Sequence, residues 1–201
     1  VATIVSTLFI ALDGVAEVDP AWHFPYFDER MGAGVGSDYE DVDVLVLGRV
    51  TYDSFAGAWP ERETAGGEDA GFAAQLGDVR KLVATRGDAD LGWRNAERTA
   101  DVVAAVRALR DDADLGTVLV AGSLSVVRQL LDAGLLDELR LYVHPVAAGS
   151  GERLWGDGPV RPLRLVSSEA YPTGVLRLVY APSELPGTAG YDDAKEHLPA
   201  S

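Results

Sequence analysis

The chain has 201 residues, 47% of them hydrophobic and 24% charged, which fits one globular domain of ordinary size with little room for a second. Thirty-two acids against 17 lysines and arginines leave a net charge of −15, a poor match to nucleic acid or an anionic membrane, both of them polyanions. The absence of cysteine excludes disulfides, cysteine-ligated zinc, iron–sulfur clusters and thiol nucleophiles.

In chain order, the β-branched, apolar run Thr3–Ala11 predicts a buried strand, and Asp13-Gly14 a turn after it. This apolar start has no basic n-region and no small-residue cleavage site, and no run approaches the ~20 apolar residues of a membrane span. A cytoplasmic protein is therefore expected. Trp22–Asp28 is dense in aromatics, and Phe24-Pro25 predicts a helix start with proline at its first position. Asp43–Leu47 reads as a second buried strand, closed by Gly48, and Thr51–Ala58 as a short helix stopped near Pro60. Residues 61–70 read as a polar loop, and Phe72–Leu76 as a helical turn.

Lys81–Thr85 is the third predicted strand. Val102, Val103, Val106 and Leu109 recur at helical spacing and predict an amphipathic helix over 101–111. Thr117–Ala121 is the fourth strand. Ser123 is an N-cap candidate for a helix whose apolar stripe is Leu124, Val127, Leu130 and Leu131, ending at Gly134. Glu138–Val146 reads as a long strand. Leu163–Ser168 and Val175–Ala181 read as an antiparallel pair around Tyr171-Pro172-Thr173-Gly174. Strand–helix alternation followed by consecutive strands implies an α/β domain over 1–182, with a mostly parallel sheet and antiparallel C-terminal strands. Residues 183–201 form a polar tail.

The acids are unevenly spread: residues 1–70 hold 14 against three bases, net −11, whereas residues 71–201 are at −4. A solvated acidic surface accounts for most of this. Arg49, the single base between Asp38 and Asp53, needs its own account. It follows Gly48 at the carboxyl end of a buried strand, where a ligand can approach the backbone and the next helix offers free N–H groups to phosphate. Its planar fork suits the same phosphate, with Thr51 as N-cap and second donor. A plain pairing of Arg49 with Asp43 or Asp53 is the other reading. Gly122, Ser123 and Leu124 repeat the strand–glycine–helix pattern, either as an anion nest or as an ordinary capped turn. Two such sites suggest a ligand with several phosphates, such as a dinucleotide. Thr85 and Arg86 end the third strand, where an arginine holds a 2′-phosphate or only a surface ion pair.

The three histidines show no metal-ligand spacing. His144 reads as structural and His23 as a core residue among Trp22, Phe24, Tyr26 and Phe27. Ser123, Asp137 and His144 fall in hydrolase order but lack the nucleophile elbow.

Ala11-Leu12-Asp13-Gly14, Gly48-Arg49-Val50-Thr51-Tyr52, and Ala121-Gly122-Ser123 running into QLLDAGLLDELRLYVHPVAAGSGERLW carry a resemblance over residues 3–182. The sequence resembles the dihydrofolate reductase-like family that contains the reductase domain of the riboflavin biosynthesis deaminase–reductase. The resemblance implies a three-layer α/β fold on an eight- or nine-stranded sheet, NADPH as hydride donor, and a homodimer. By position it implies that Gly48, Arg49 and Thr51 hold cofactor phosphates and that Thr85 and Arg86 lie at the adenosine ribose. Gly122, Ser123 and Leu124 would bind the pyrophosphate, and Ala11 to Gly14 would line the nicotinamide pocket. Asp13 is the candidate proton donor, or merely half of an Asp-Gly turn. Trp22 and Phe27 are candidate walls for a flat substrate. Two departures stand out. Ala121-Gly122 replaces the usual Gly-Gly, adding a methyl where backbone meets pyrophosphate. The pterin-binding carboxylate of true dihydrofolate reductases has only Asp28 or Glu29 in its region, so folate reduction is not implied. The sequence lacks the cysteines of the zinc deaminase. The expectation is a stand-alone NADPH-dependent reductase acting on a C=N or C=O of a small heterocycle, with no nucleic-acid or membrane partner. The rival is a non-catalytic nucleotide-binding or sensor protein on the same fold.

Overall fold

The computed structural model describes residues 1–88 and 90–197; Ala89 and the last four residues of the expected tail lie outside the described residues. Among the described residues, eight strands form one sheet: β1 (Thr3–Ala11), β2 (Val44–Gly48), β3 (Arg80–Ala84), β4 (Ala96–Thr99), β5 (Thr117–Val120), β6 (Glu138–His144), β7 (Leu163–Ala170) and β8 (Leu176–Pro182). Their order across the sheet is β4-β3-β2-β5-β1-β6-β8-β7. The first six are mutually parallel; β8 runs antiparallel to both β6 and β7. Seven α-helices among the described residues accompany them: α1 (Pro20–His23), α2 (Glu29–Tyr39), α3 (Arg49–Ala65), α4 (Ala70–Asp78), α5 (Val102–Asp111), α6 (Leu124–Asp132) and α7 (Tyr191–Lys195).

Strand alternation sorts the side chains into layers. Ile4, Leu8 and Ile10 of β1 pack with Val106 of α5 and Val127 and Leu130 of α6. Val5, on the opposite face, packs with Tyr39 of α2, Tyr52 of α3 and Leu76 of α4. Further along that face Phe9, Tyr142 and Met31 form a third cluster. The result is the three-layer, dihydrofolate reductase-like α/β fold, mostly parallel with antiparallel C-terminal strands.

Several elements differ from their sequence reading. The helix after Gly48 begins at Arg49 and runs through Pro60 to Ala65, so residues 61–65 are helix and not loop. Proline removes one N–H and kinks a helix without ending it where the following residues hold on. Here Thr64 Oγ1 donates to Pro60 O at 2.9 Å, Arg62 stacks on Trp59 at 4.8 Å, and Glu63 grips Arg94 at 2.7 and 2.9 Å. Pro25 sits in a 3-10 turn, Phe24–Tyr26, while Pro20 opens α1 behind its N-cap Asp19. Helix α2 gave no apolar stripe in sequence because three glycines interrupt it. One of them allows close contact: a Cβ at Gly34 would lie 2.3 Å from Tyr171 Oη and 3.2 Å from Tyr142 Oη. The edge strand β4 is short and polar, as exposed edges are, and escaped notice for that reason.

Candidate functional site

The parallel strands end in a row along one edge, at Ala84, Gly48, Val120, Ala11 and His144. Ligands of open α/β sheets bind outside such carboxyl ends. At the middle of the row two turns are pressed together. Gly48 N donates to Gly122 O at 2.8 Å. A Cβ at Gly48 would stand 2.3 Å from Ser123 Oγ and 2.8 Å from Ser123 N. Gly122 has φ +122°, which glycine alone adopts readily, and a Cβ there would lie 3.0 Å from Thr51 Oγ1. The starts of α3 and α6 are thereby juxtaposed.

Neither helix start is capped by a side chain. Gly48, not Thr51, is the N-cap of α3. Ser123 occupies the N-cap position of α6, but its hydroxyl pairs with Ser125 Oγ at 2.9 Å. The first N–H groups of both helices therefore remain open to an anion. The Ala121 methyl packs against the Val5–Leu47–Tyr52 core cluster, so it does not crowd this crevice as the sequence suggested.

Arg49 pairs with Asp53, its Nε 2.9 and 2.8 Å from the two carboxylate oxygens. Asp53 thus raises the Arg49 pKa further, and the guanidinium is permanently charged. Asp43 is excluded as a partner, because it accepts from Gly116 N at 2.7 Å and Thr117 N at 2.9 Å. One strand outward, Thr85 Oγ1 accepts from Gly87 N at 3.2 Å. Arg86 is exposed beside it, with no described carboxylate in an ion pair with it.

Toward the other end of the row, β1 leaves the sheet at Ala11, which is buried. Gly14 turns the chain at φ +84°, and Leu12 N donates to Val146 O at 2.8 Å. Asp13 does not fit the role of proton donor. Its carboxylate accepts from Gly149 N at 2.8 Å and Ala148 N at 3.2 Å, with Arg153 at 3.6 Å. Those amides, Gly149 foremost, hold its pKa below the usual aspartate value, so it is ionised and structural.

Next to Ala11 in the sheet stands His144, and here the structure assembles what sequence spacing concealed. His23 Nδ1 lies 3.2 Å from His144 Nε2, and His144 Nδ1 lies 3.0 Å from Tyr142 O. Both rings are buried. Burial lowers both pKa values, that of His23 to about 4, with His144 a further depressing influence on His23. Aromatic rings box the pair: Phe9 at 4.4 Å, Phe24 at 5.1 Å and Phe27 at 5.6 Å from His23, and Trp22 at 5.0 Å from His144. Phe24 is 63% and Phe27 42% exposed, so these faces are open to a ligand. Trp22 packs on His144 and Phe27 on His23, so both flank the histidine pair.

Two residues earlier on the same face of β6 begins a buried polar cluster. Asp38 of α2 accepts from Thr7 Oγ1 at 3.0 Å, Tyr142 Oη at 2.7 Å and Arg140 at 3.2 Å, and it also pairs with Arg177. Neither Asp28 nor Glu29 plays that part: Asp28 caps α2 by accepting from Met31 N at 2.8 Å, and Glu29 is exposed. Asp137 sits at the opposite edge of the sheet, accepting from Ile4 N at 2.8 Å, far from any hydrolase arrangement with His144.

A family model described as the RibD C-terminal domain matches residues 2–177. The chain belongs to the RibD C-terminal domain family. Among sequences, it is 26% identical over 140 residues to the uncharacterized protein YyaP of Bacillus subtilis (strain 168), covering 69% of this chain and 73% of YyaP. Among structures, a pyrimidine reductase-like protein of Corynebacterium diphtheriae superposes with a TM-score of 0.64 at 16% identity, covering 91% and 92% of the two chains. The diaminohydroxyphosphoribosylaminopyrimidine deaminase/5-amino-6-(5-phosphoribosylamino)uracil reductase of Thermotoga maritima gives 0.62 at 15% identity, covering 90% of this chain and 57% of that one. At these identities the superpositions establish the shared fold. The RibD match includes the Gly48–Thr51 turn, the Gly122–Leu124 turn and both members of the histidine pair.

Proposed function

We propose that this RibD C-terminal domain is an NADPH-dependent reductase that delivers a hydride to a C=N or C=O of a small, flat heterocycle. The observation that carries this reading is the juxtaposition of two uncapped helix starts at Gly48 and Gly122, in line with an open aromatic box at His23. Adjacent turns with free N–H groups suit a pyrophosphate, and an added Cβ at either glycine would press on the facing turn, at Ser123 or Thr51, and disturb their juxtaposition. The N–H groups of Arg49, Thr51 and Leu124, with the Thr51 and Ser123 hydroxyls, would take the phosphates. The guanidinium of Arg49 adds a charged donor, and Arg86 meets the adenosine end. NADPH, when bound, supplies the hydride. Ala11 to Gly14 form the wall at the reacting ring, and Trp22 and Phe27 flank the substrate and displace water from it. A homodimer and a cytoplasmic setting belong to the same proposal.

The loss of Asp13 as an acid favours one alternative, a nucleotide-binding sensor that does no chemistry. Titration with NADPH followed by oxidation assays over pterins, flavin precursors and cyclic imines separates the two. Binding with turnover supports the reductase; binding without turnover on any of them supports the sensor; failure to bind NADPH removes both.

A further inference from the structure

The histidine pair has a defined proton arrangement. His144 Nδ1 lies 3.0 Å from the carbonyl oxygen of Tyr142, which only accepts, so this nitrogen carries the hydrogen. In a neutral ring, His144 Nε2 is then an acceptor. The contact at 3.2 Å requires His23 Nδ1 to donate to it. This leaves His23 Nε2 as a bare lone pair. No group among the described residues bonds it, and the ring sits against Phe24 and Phe27, which are 63% and 42% exposed. A lone pair beside exposed aromatic rings, fixed in one tautomer by a second histidine, is a recognition element for a donor in the plane of a flat ring.

We infer that His23 Nε2 is the acceptor by which this site selects a heterocycle bearing a ring N–H, and that His144 is a positioning residue that fixes the His23 tautomer. The inference rests on the reductase reading, since it places the heterocycle in the box beside Ala11. Burial supports it by keeping both rings neutral at pH 7. The two rings differ in function: His23 touches the ligand, whereas His144 acts only through His23. A heterocycle N-methylated at that position would leave the lone pair buried and unpaired, which is how polar sites reject near-isosteres.

The test uses two flat probes, 5,6-diaminouracil and its 1,3-dimethyl derivative, titrated into the NADPH-loaded protein. The wild type is expected to hold the N–H probe at least tenfold more tightly. His23→Phe, which keeps an aromatic ring and removes the acceptor, is expected to bring the ratio close to one while NADPH affinity is unchanged. A second readout needs no variant: nitrogen-15 spectra of the wild type at pH 7 should show both rings neutral with hydrogen on Nδ1, and only the His23 Nε2 resonance moving on addition of 5,6-diaminouracil. In His144→Phe the His23 signals should become a mixture of tautomers. The inference is overturned by a preference that survives His23→Phe, by no binding of 5,6-diaminouracil to protein that binds NADPH, or by hydrogen on His23 Nε2. NADPH titrated alone reports separately on the reductase reading.

Discussion

Arg49 shows how a residue serves two readings at once. Its Nε is tied to both oxygens of Asp53, and the pairing holds the guanidinium at the start of α3. Arg49→Ala is expected to weaken NADPH binding by roughly 1.5–3 kcal/mol, the range for hydrogen bonds to charged groups. Fluorescence titration measures it, and unchanged affinity would remove Arg49 from the phosphate site. His23 gives a pH prediction. Its folded pKa of about 4 lies below the 6.5 of a free histidine, so the unfolded chain binds more protons between the two. The stability of the neutral pair is therefore fully present above pH 6.5 and is lost as pH falls toward 4. Thermal melts across that window should show a steeper decline for the wild type than for His23→Phe. For Asp13, two amide donors keep the carboxylate ionised, so Asp13→Asn should leave the pH–rate profile unshifted.

At the scale of elements, the site depends on how closely the β2–α3 and β5–α6 turns meet. Gly48→Ala puts a methyl 2.8 Å from a backbone nitrogen and must push the turns apart. Overpacking of this kind costs about 1–3 kcal/mol, which at this size is on the order of 2–4 °C in Tm per kcal/mol, and the variant should also lose NADPH affinity. Asp38→Ala removes the carboxylate that ties α2 to β6 and β8 through Arg140, Arg177 and Tyr142. It is expected to cost about 3 kcal/mol or more in denaturant unfolding, because two arginines lose their buried partner. Most strands were legible because buried parallel strands are continuous apolar runs, and both strand–glycine–helix turns were legible because glycine there has a local cause. Helix α2 was not, since three glycines break its pattern and Gly34 answers to Tyr171 and Tyr142, distant in sequence. The His23–His144 contact and the Asp38 cluster were equally hidden: both join residues more than 100 positions apart, and no spacing rule reaches that far.

For the whole molecule, the net charge of −15 sets the background against which an anionic cofactor must bind. On the proposed reading the long-range field repels NADPH, and affinity would fall to local donors: two helix starts, Arg49 and Arg86. Screening weakens long-range repulsion before it weakens short contacts. The association rate of NADPH should therefore rise with ionic strength at low salt, the reverse of an electrostatically steered encounter. The sheet supports this division of labour. Its carboxyl edge carries the Gly48 and Gly122 turns, the Ala11–Gly14 turn and the aromatic cluster at His23 and His144 in that order, and no helix among the described residues is long and apolar enough to cross a membrane. The most direct measurement is a calorimetric titration of the protein with NADPH, run in parallel on Gly48→Ala. Saturable binding of one NADPH per chain, weakened in the variant, is the result expected from a dinucleotide held where α3 and α6 begin. Absence of binding, or binding indifferent to Gly48→Ala, would contradict it.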